Sequence, residues 1–290
     1  MPSAVAVLTA AGSGARLGLG YPKALAQLAA CSLVGHAASR LCASGEITQI
    51  VVTAPREHLE AVTHALDETP GLTVPWRVVE GGPSRQASVA AGLAALVAAM
   101  DPAAPYDVVL VHDAARPLAS PDLVRRVVAA VRTGAGAVVP GLPVTDTVKT
   151  VEAARPAGID GSGPLGARAP GTRVHGAAPE PGSSERSSER SSGSPLEQVT
   201  GTVDRTPLRA VQTPQGFRWD LLLRAHAAGQ DRAHDEATAA TDDSSLVEAL
   251  GEPVFVVAGE AGALKITTTH DLAVAQVLVS SSADHPRGTS

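Results

Sequence analysis

Short Val-rich runs alternate along this chain with Ala- and Leu-rich stretches of helical periodicity, and that alternation narrows the possible folds most. The runs are "VAVLT" (5–9), "QIVVTA" (49–54), "WRVVEG" (76–81), "DVVLVHD" (107–113) and "GAVVPG" (136–141). Between them lie "SLVGHAASRLCAS" (32–44), "REHLEAVTHALDE" (56–68), "RQASVAAGLAALVAAM" (85–100) and "PDLVRRVVAAVR" (121–132). Strands apolar on both faces and separated by helices predict an α/β fold, a Rossmann-like, mostly parallel sheet covered by helices on both faces. In such sheets ligands bind beyond the carboxyl ends of the strands, so the loops at 10–23, 81–88 and 112–117 are the candidate site. Aromatics make up only 2% of the chain against 44% hydrophobic residues, so the core is built from Ala, Val and Leu.

One stretch breaks the pattern. From Ala153 to about Pro195 the chain is rich in Gly, Pro and Ser and carries a tandem SSER repeat. Such a composition buries too little apolar surface to offset its ordering entropy, and it reads as a disordered insertion. After it, "VTGTVDRTPLRAVQTPQGF" (199–217) returns to strand-and-turn chemistry. "RWDLLLRAHAAG" (218–229) reads as a helix and "TDDSSLVEALG" (241–251) as a capped helix. "VFVVAGE" (254–260) and "LKITT" (264–268) read as strands, and "HDLAVAQVLV" (270–279) as a closing helix. The expected organisation is one domain over 1–280, interrupted at about 153–195, with a flexible tail at 281–290.

The formal net charge of −6 argues against a nucleic-acid surface, which needs a basic face. No basic region precedes the first apolar run, and the longest apolar-looking stretch (87–100) is too short to span a bilayer. The only cysteines, Cys31 and Cys42, form no metal-binding spacing and read as reduced thiols. The expectation is a cytoplasmic protein with no membrane or nucleic-acid partner.

The loop "LTAAGSGARLG" (8–18) matches none of the common phosphate-binding patterns. A dinucleotide fingerprint needs a glycine at 17, where Leu17 stands, and an acid near 32–36, where the sequence is "SLVGH". A P-loop needs Gly-Lys-Ser/Thr, but Lys23 lies between Pro22 and Ala24. A hydrolase elbow needs glycines where Ala11 and Ala15 flank Ser13. What remains is a backbone nest with two cations, Arg16 and Lys23, suited to a triphosphate. The competing reading is a plain Gly-rich turn with two surface cations.

The second loop, "EGGPSRQASVAAGL" (80–93), sets Gly81–Gly82 beside Arg85, Gln86 and Ser88 at a helix start. It suits either close approach of a ligand or ordinary capping by Ser84 or Ser88. The third, "VHDAARPL" (111–118), puts Asp113 at a strand end near Arg116. Those side chains suit a divalent cation and a phosphate, or an isolated ion pair. His112 reads as a hydrogen-bonded structural residue.

With "AAGSGARLG…PKAL" (10–25), "GGPSRQASVAAGL" (81–93), "VHDAARPL" (111–118), "PVTDTVK" (143–149), "VDR" (203–205), "QTPQGF" (212–217), "TDDSSLVEALG" (241–251) and "LKITTTHDL" (264–272) in this order, the chain resembles the 2-C-methyl-D-erythritol 4-phosphate cytidylyltransferases. These are CTP-using nucleotidyltransferases of the non-mevalonate isoprenoid pathway. The resemblance implies that Ala10, Ala11 and Gly12 cradle CTP, with Arg16 and Lys23 stabilising the pentavalent phosphorus. Gly82 and Ser88 match positions recognising the base or ribose, and Asp113 matches an aspartate associated with Mg²⁺. Arg205 and Lys265 match the cations that position the sugar phosphate, and Arg116, Thr147, Thr213 and Thr241 match further contacts to it. The family is a homodimer with an extended β-hairpin arm, here about 143–152 plus 196–212, so Thr147 and Arg205 would act in trans.

Two departures stand out, Thr9 where the family often has Pro, and Pro83 where an acid is common. The resemblance implies direct displacement on the α-phosphorus, with no His or Cys nucleophile. A cytidylyltransferase for another polyol phosphate such as ribitol 5-phosphate shares the CTP loops. A regulatory nucleotide-binding protein would not need both cations.

Overall fold

The computed structural model describes residues 3–12, 19–153, 196–235 and 237–283. The chain forms two compact units, one of residues 1–144 and 209–290, the other of residues 145–208.

The first unit opens with β1 (Ala4–Thr9) and a two-residue hairpin, β2 (Gln27–Leu28) and β3 (Cys31–Ser32), leading into α1 (Leu33–Ala43). There follow β4 (Ile47–Ala54), α2 (Leu59–Asp67), β5 (Trp76–Glu80), α3 (Arg85–Ala99), β6 (Val108–Asp113), α4 (Pro121–Arg132) and β7 (Ala137–Pro143). The helix starts are set by side chains: Ser32, Ser84 and Ser120 accept from the backbone N–H of Gly35, Ala87 and Leu123 at the first turns of α1, α3 and α4.

The second unit contains β8 (Lys149–Ala153) and β9 (Glu197–Thr202), paired antiparallel with a register shift between Thr150 and Val151. The chain then returns to the first unit as β10 (Arg209–Val211), β11 (Gln215–Arg218), α5 (Trp219–Ala228), α6 (Asp243–Ala249), β12 (Val254–Ala258) and α7 (Thr269–Ala283).

The main sheet runs β10-β7-β11-β6-β1-β4-β5, with β12 also paired to β7. Its centre is parallel: β1 pairs with β4 and β6, and β4 with β5. The exceptions are β11, which lies antiparallel between β6 and β7, and β10, antiparallel to β7 at the edge. Alternate residues of the parallel strands feed two separate cores. Ala4, Ala6, Leu8, Ile50 and Leu110 pack with α1, α2 and α4 on one face, whereas Val5, Val7, Val51 and Val111 pack with α3, α5 and α6 on the other. Helices therefore cover both faces, as expected.

Two expectations change. Residues 264–268 form no strand: Ile266 N–H donates to Ala115 O of the β6–α4 loop (2.8 Å) rather than to a strand, and Thr268 O accepts from Leu272 N–H of the last helix (3.2 Å). The segment instead leads into a reciprocal cap. Asp271 accepts from the backbone of Thr267 and Thr268, and Thr268 Oγ1 accepts from the Asp271 N–H. The final helix also reaches Ala283, into the stretch expected to be tail. Of the insertion expected at about 153–195, residues 154–195 lie outside the described residues, as do 284–290 of the tail.

Candidate active site

The carboxyl ends of the parallel strands bring the three loops together. Thr9, the last residue of β1, is in register with Asp113, the last of β6, and Ala54 of β4 is in register with Glu80 of β5. Just past these ends, Ala10 N–H donates to Thr53 O (2.8 Å), Gly81 N–H to Ala54 O (2.8 Å) and Ala114 N–H to Thr9 O (3.0 Å). The first and second loops touch, since a Cβ on Gly81 would lie 3.0 Å from the Ala11 Cβ.

The second loop is held from within. Ser84 is the cap, so the choice left open between Ser84 and Ser88 falls to Ser84. Ser88, one turn on and buried, donates to Ser84 O (2.9 Å) and accepts from the Gly82 N–H (3.1 Å), fixing Gly82 against the start of α3.

Asp113 is the electrostatic centre. Its Oδ2 lies 2.9 Å from Lys265 Nζ, and its Oδ1 accepts from Arg85 Nε and Thr9 Oγ1, both at 3.4 Å. Burial alone would raise its pKa, but the Arg85 and Lys265 cations hold the carboxyl well below the usual range. The isolated Asp113–Arg116 pair considered from the sequence does not form. Arg116 donates instead to the carbonyls of Ala263 (2.7 Å) and Val211 (3.2 Å).

Thr213 fastens the strand end. Its hydroxyl accepts from the Asp113 N–H (3.1 Å) and lies 2.9 Å from His112 Nδ1. His112 is buried as expected. That burial pushes its pKa down to about 4, against an opposing pull from Asp113, and keeps the ring neutral.

These side chains border a cleft of about 340 Å³. Asp113, Arg116, Thr213, Thr241 and Lys265, all singled out from the sequence, line it. Arg85, Gln215 and Asp242 line it too and were not among the residues singled out as site residues. Behind Arg85 stands buried Asp243, which accepts from Arg85 Nη1 (2.7 Å) and pairs with His226 Nε2 (2.9 Å).

Cations around an ionised carboxylate at the sheet's carboxyl edge suit a phosphorylated substrate. Mg²⁺ takes oxygen ligands and is commonly held by one or two carboxylates together with substrate phosphates. Asp113 fits that demand, while Asp242 is committed to Ser245 N–H, Ser244 Oγ and Gln215 Nε2. Among the described residues, no group of three or more His, Cys, Asp or Glu could cage a metal by itself.

The sequence pattern of the IspD family, 2-C-methyl-D-erythritol 4-phosphate cytidylyltransferase, matches residues 4–160 and 191–281. The chain belongs to this family. It is 41% identical over 279 residues to the 2-C-methyl-D-erythritol 4-phosphate cytidylyltransferase of Streptomyces avermitilis, covering 94% of this chain and 90% of the relative. It is 42% identical over 277 residues to that of Nocardia farcinica, covering 96% and 94%. The crystal structure of the 2-C-methyl-D-erythritol 4-phosphate cytidylyltransferase from Thermus thermophilus is 32% identical, with a TM-score of 0.60 over 97% of this chain and 100% of that one.

Lys23 opens a single 3-10 turn, Lys23–Leu25, and is half-buried. Arg16 lies outside the described residues. Thr147 and Arg205 belong to the second unit, where both are exposed and Arg205 donates to the Thr145 carbonyl. Among the described residues, no helix is long and apolar enough to cross a membrane.

Proposed function

We propose that the protein transfers CMP from CTP to 2-C-methyl-D-erythritol 4-phosphate, forming 4-diphosphocytidyl-2-C-methyl-D-erythritol and releasing pyrophosphate. The observation that carries this reading is the cleft in which Lys265, Arg116 and Arg85 gather around ionised Asp113 at the sheet's carboxyl edge.

The nucleophile is a phosphate oxygen that is already ionised, so the reaction needs no strong general base. The obstacle is repulsion between two anions, which positioned cations relieve while aligning in-line attack on the α-phosphorus. Ala10, Ala11 and Gly12 offer backbone to the triphosphate, and Arg16 and Lys23 stabilise charge at the transition state. Gly82 and Ser88 shape the base and ribose pocket. Lys265 and Arg205 orient the sugar phosphate, with Arg116, Thr147, Thr213 and Thr241 as further contacts. Asp113 would hold Mg²⁺, which when bound supplies neutralisation of phosphate charge.

Thr147 and Arg205 would serve the neighbour's site in a homodimer whose arm spans about 143–152 and 196–212, with β8 and β9 inside it. The protein would work in the cytoplasm. The stretch at about 153–195 is an addition to a single domain; the two family matches, 4–160 and 191–281, pass over 161–190.

Pyrophosphate release tests the reading, with CTP, ATP or GTP set against methylerythritol phosphate or ribitol 5-phosphate. The expected result is turnover with CTP and methylerythritol phosphate far above every other pairing. Equal use of purine triphosphates would refute the base pocket, and preference for ribitol phosphate would reassign the acceptor.

A further inference from the structure

Arg85 joins two buried carboxylates that face different ways. Asp113 opens onto the cleft, whereas Asp243 is 1% exposed and lies behind it. The guanidinium donates from Nη1 to Asp243 Oδ2 (2.7 Å) and from Nε to Asp113 Oδ1 (3.4 Å). Asp243 is itself fixed on two further sides. His226 Nε2 of α5 lies 2.9 Å from its Oδ1, and its backbone N–H donates to Gln215 Oε1 of β11 (3.2 Å). The chain His226–Asp243–Arg85–Asp113 thus runs from the interior to the wall of the cleft.

Such a chain is a poor way merely to hold helices together. Buried ion pairs recover little more than their desolvation cost, and apolar residues of similar volume would pack α3 on α6 as well. Arg85 is also the first residue of α3, where its charge opposes the positive end of the helix dipole. These costs make sense if the end of the chain that matters is Asp113.

The two cations on Asp113 are not equivalent. The Lys265 side chain is 43% exposed and, among the described residues, pairs with Asp113, whereas Arg85 is 19% exposed and tied at its far end to Asp243. Lys265 can turn to an arriving phosphate; Arg85 cannot leave without breaking the buried pair. We propose that Arg85, anchored by Asp243 and His226, is the positioning residue that keeps the Asp113 carboxylate in place when Lys265 transfers its charge to substrate. This rests on the reading of Asp113 as part of the reacting site.

The test uses Arg85→Gln, Arg85→Lys, Asp243→Asn and the Arg85→Gln/Asp243→Asn double variant of the full chain. Steady-state pyrophosphate release with CTP and methylerythritol phosphate gives kcat and KM, and crystal structures of Lys265→Ala and of Arg85→Gln/Lys265→Ala, in which the lysine charge has already left, give the position of Asp113. Loss of a group that orients a site ligand costs roughly 10–100-fold, and here the loss is expected in kcat, with KM for CTP nearly unchanged. Arg85→Lys recovers part of it by restoring charge beside Asp113. The double variant is no slower than the slower single one, because both act through one contact.

Folded variants with wild-type kcat, or losses that add in the double variant, overturn the proposal. If Arg85→Gln fails to fold, Asp243→Asn decides by the same kcat criterion. An Asp113 side chain already displaced in Lys265→Ala, or unmoved in Arg85→Gln/Lys265→Ala, overturns it whatever the activity. Wild-type enzyme inactive on this substrate pair would refute the functional reading instead, and the crystal structures would still decide the positioning role.

Discussion

His112 ties the acid stability of the fold to one imidazole. Its pKa is near 4 when buried and about 6.5 when the chain is unfolded, so between those values the unfolded state binds the proton more readily. Stability therefore falls as pH drops from about 6.5 to 4, by up to roughly 3 kcal/mol at 1.36 kcal/mol per pKa unit. A second loss follows at lower pH, where Asp113 and Asp243 must take up protons. Their carboxyls are held below the usual range by Arg85 despite burial, and their contribution is present above the unfolded carboxyl pKa. Urea midpoints measured from pH 7 to 3 should show both steps, and His112→Gln should remove the upper one. An unchanged upper step would mean another group titrates there. Lys23→Ala should leave circular dichroism unchanged but slow pyrophosphate release by about 2.7–4 kcal/mol of barrier, the usual loss for a donor aimed at developing charge. At this scale the sequence was legible in part. Asp113, Arg116, Thr213, Thr241 and Lys265 share one cleft, but Arg85 reaches Asp243 across 158 positions, a pairing that no spacing rule could reveal. The usable signal was an arginine in a helix's first turn, where an acid is the ordinary choice.

The elements followed their periodicity closely, and α4 occupies Pro121–Arg132 just as its apolar spacing suggests. The segment 264–268 misled because the apolar–polar alternation of Leu264, Lys265, Ile266 and Thr267 reads as strand, while the partner of Ile266, Ala115, lies in a loop. Close contact of α3 with the sheet depends on Gly92. A Cβ there would meet Val7 Cγ1 at 2.5 Å and Thr53 Cγ2 at 3.3 Å, and those residues belong to β1 and β4. Gly92→Ala gains about 1 kcal/mol of helix propensity but overpacks a filled interface at a cost of about 1–3 kcal/mol. A lower denaturation midpoint at an unchanged m-value is the expected outcome; a higher midpoint would show that α3 can shift outward without loss.

For the whole molecule, the stretch at about 153–195 should be dispensable for chemistry. Its composition builds no core, and β8 and β9 on either side of it already pair. Replacing residues 156–195 with a short Gly-Ser turn should preserve activity and oligomeric state, since each halving of a loop recovers roughly 0.6 kcal/mol of closure entropy. A monomeric, inactive deletion variant would show instead that the stretch belongs to the arm.

The placement of β11 also dictates an order of events during synthesis. This strand lies between β6 and β7, yet its first residue, Gln215, follows the last residue of β7, Pro143, by 72 positions (215 − 143). At roughly 5–20 residues per second, a ribosome needs on the order of 4–14 s to make that interval. Throughout it, β6 and β7 have no strand to join them, and Asp113 lacks the threonine hydroxyl that fixes its backbone. The nascent chain therefore carries the open edge of β6 and a wholly unpaired β7 for seconds, the period in which a chaperone would be of most use to it.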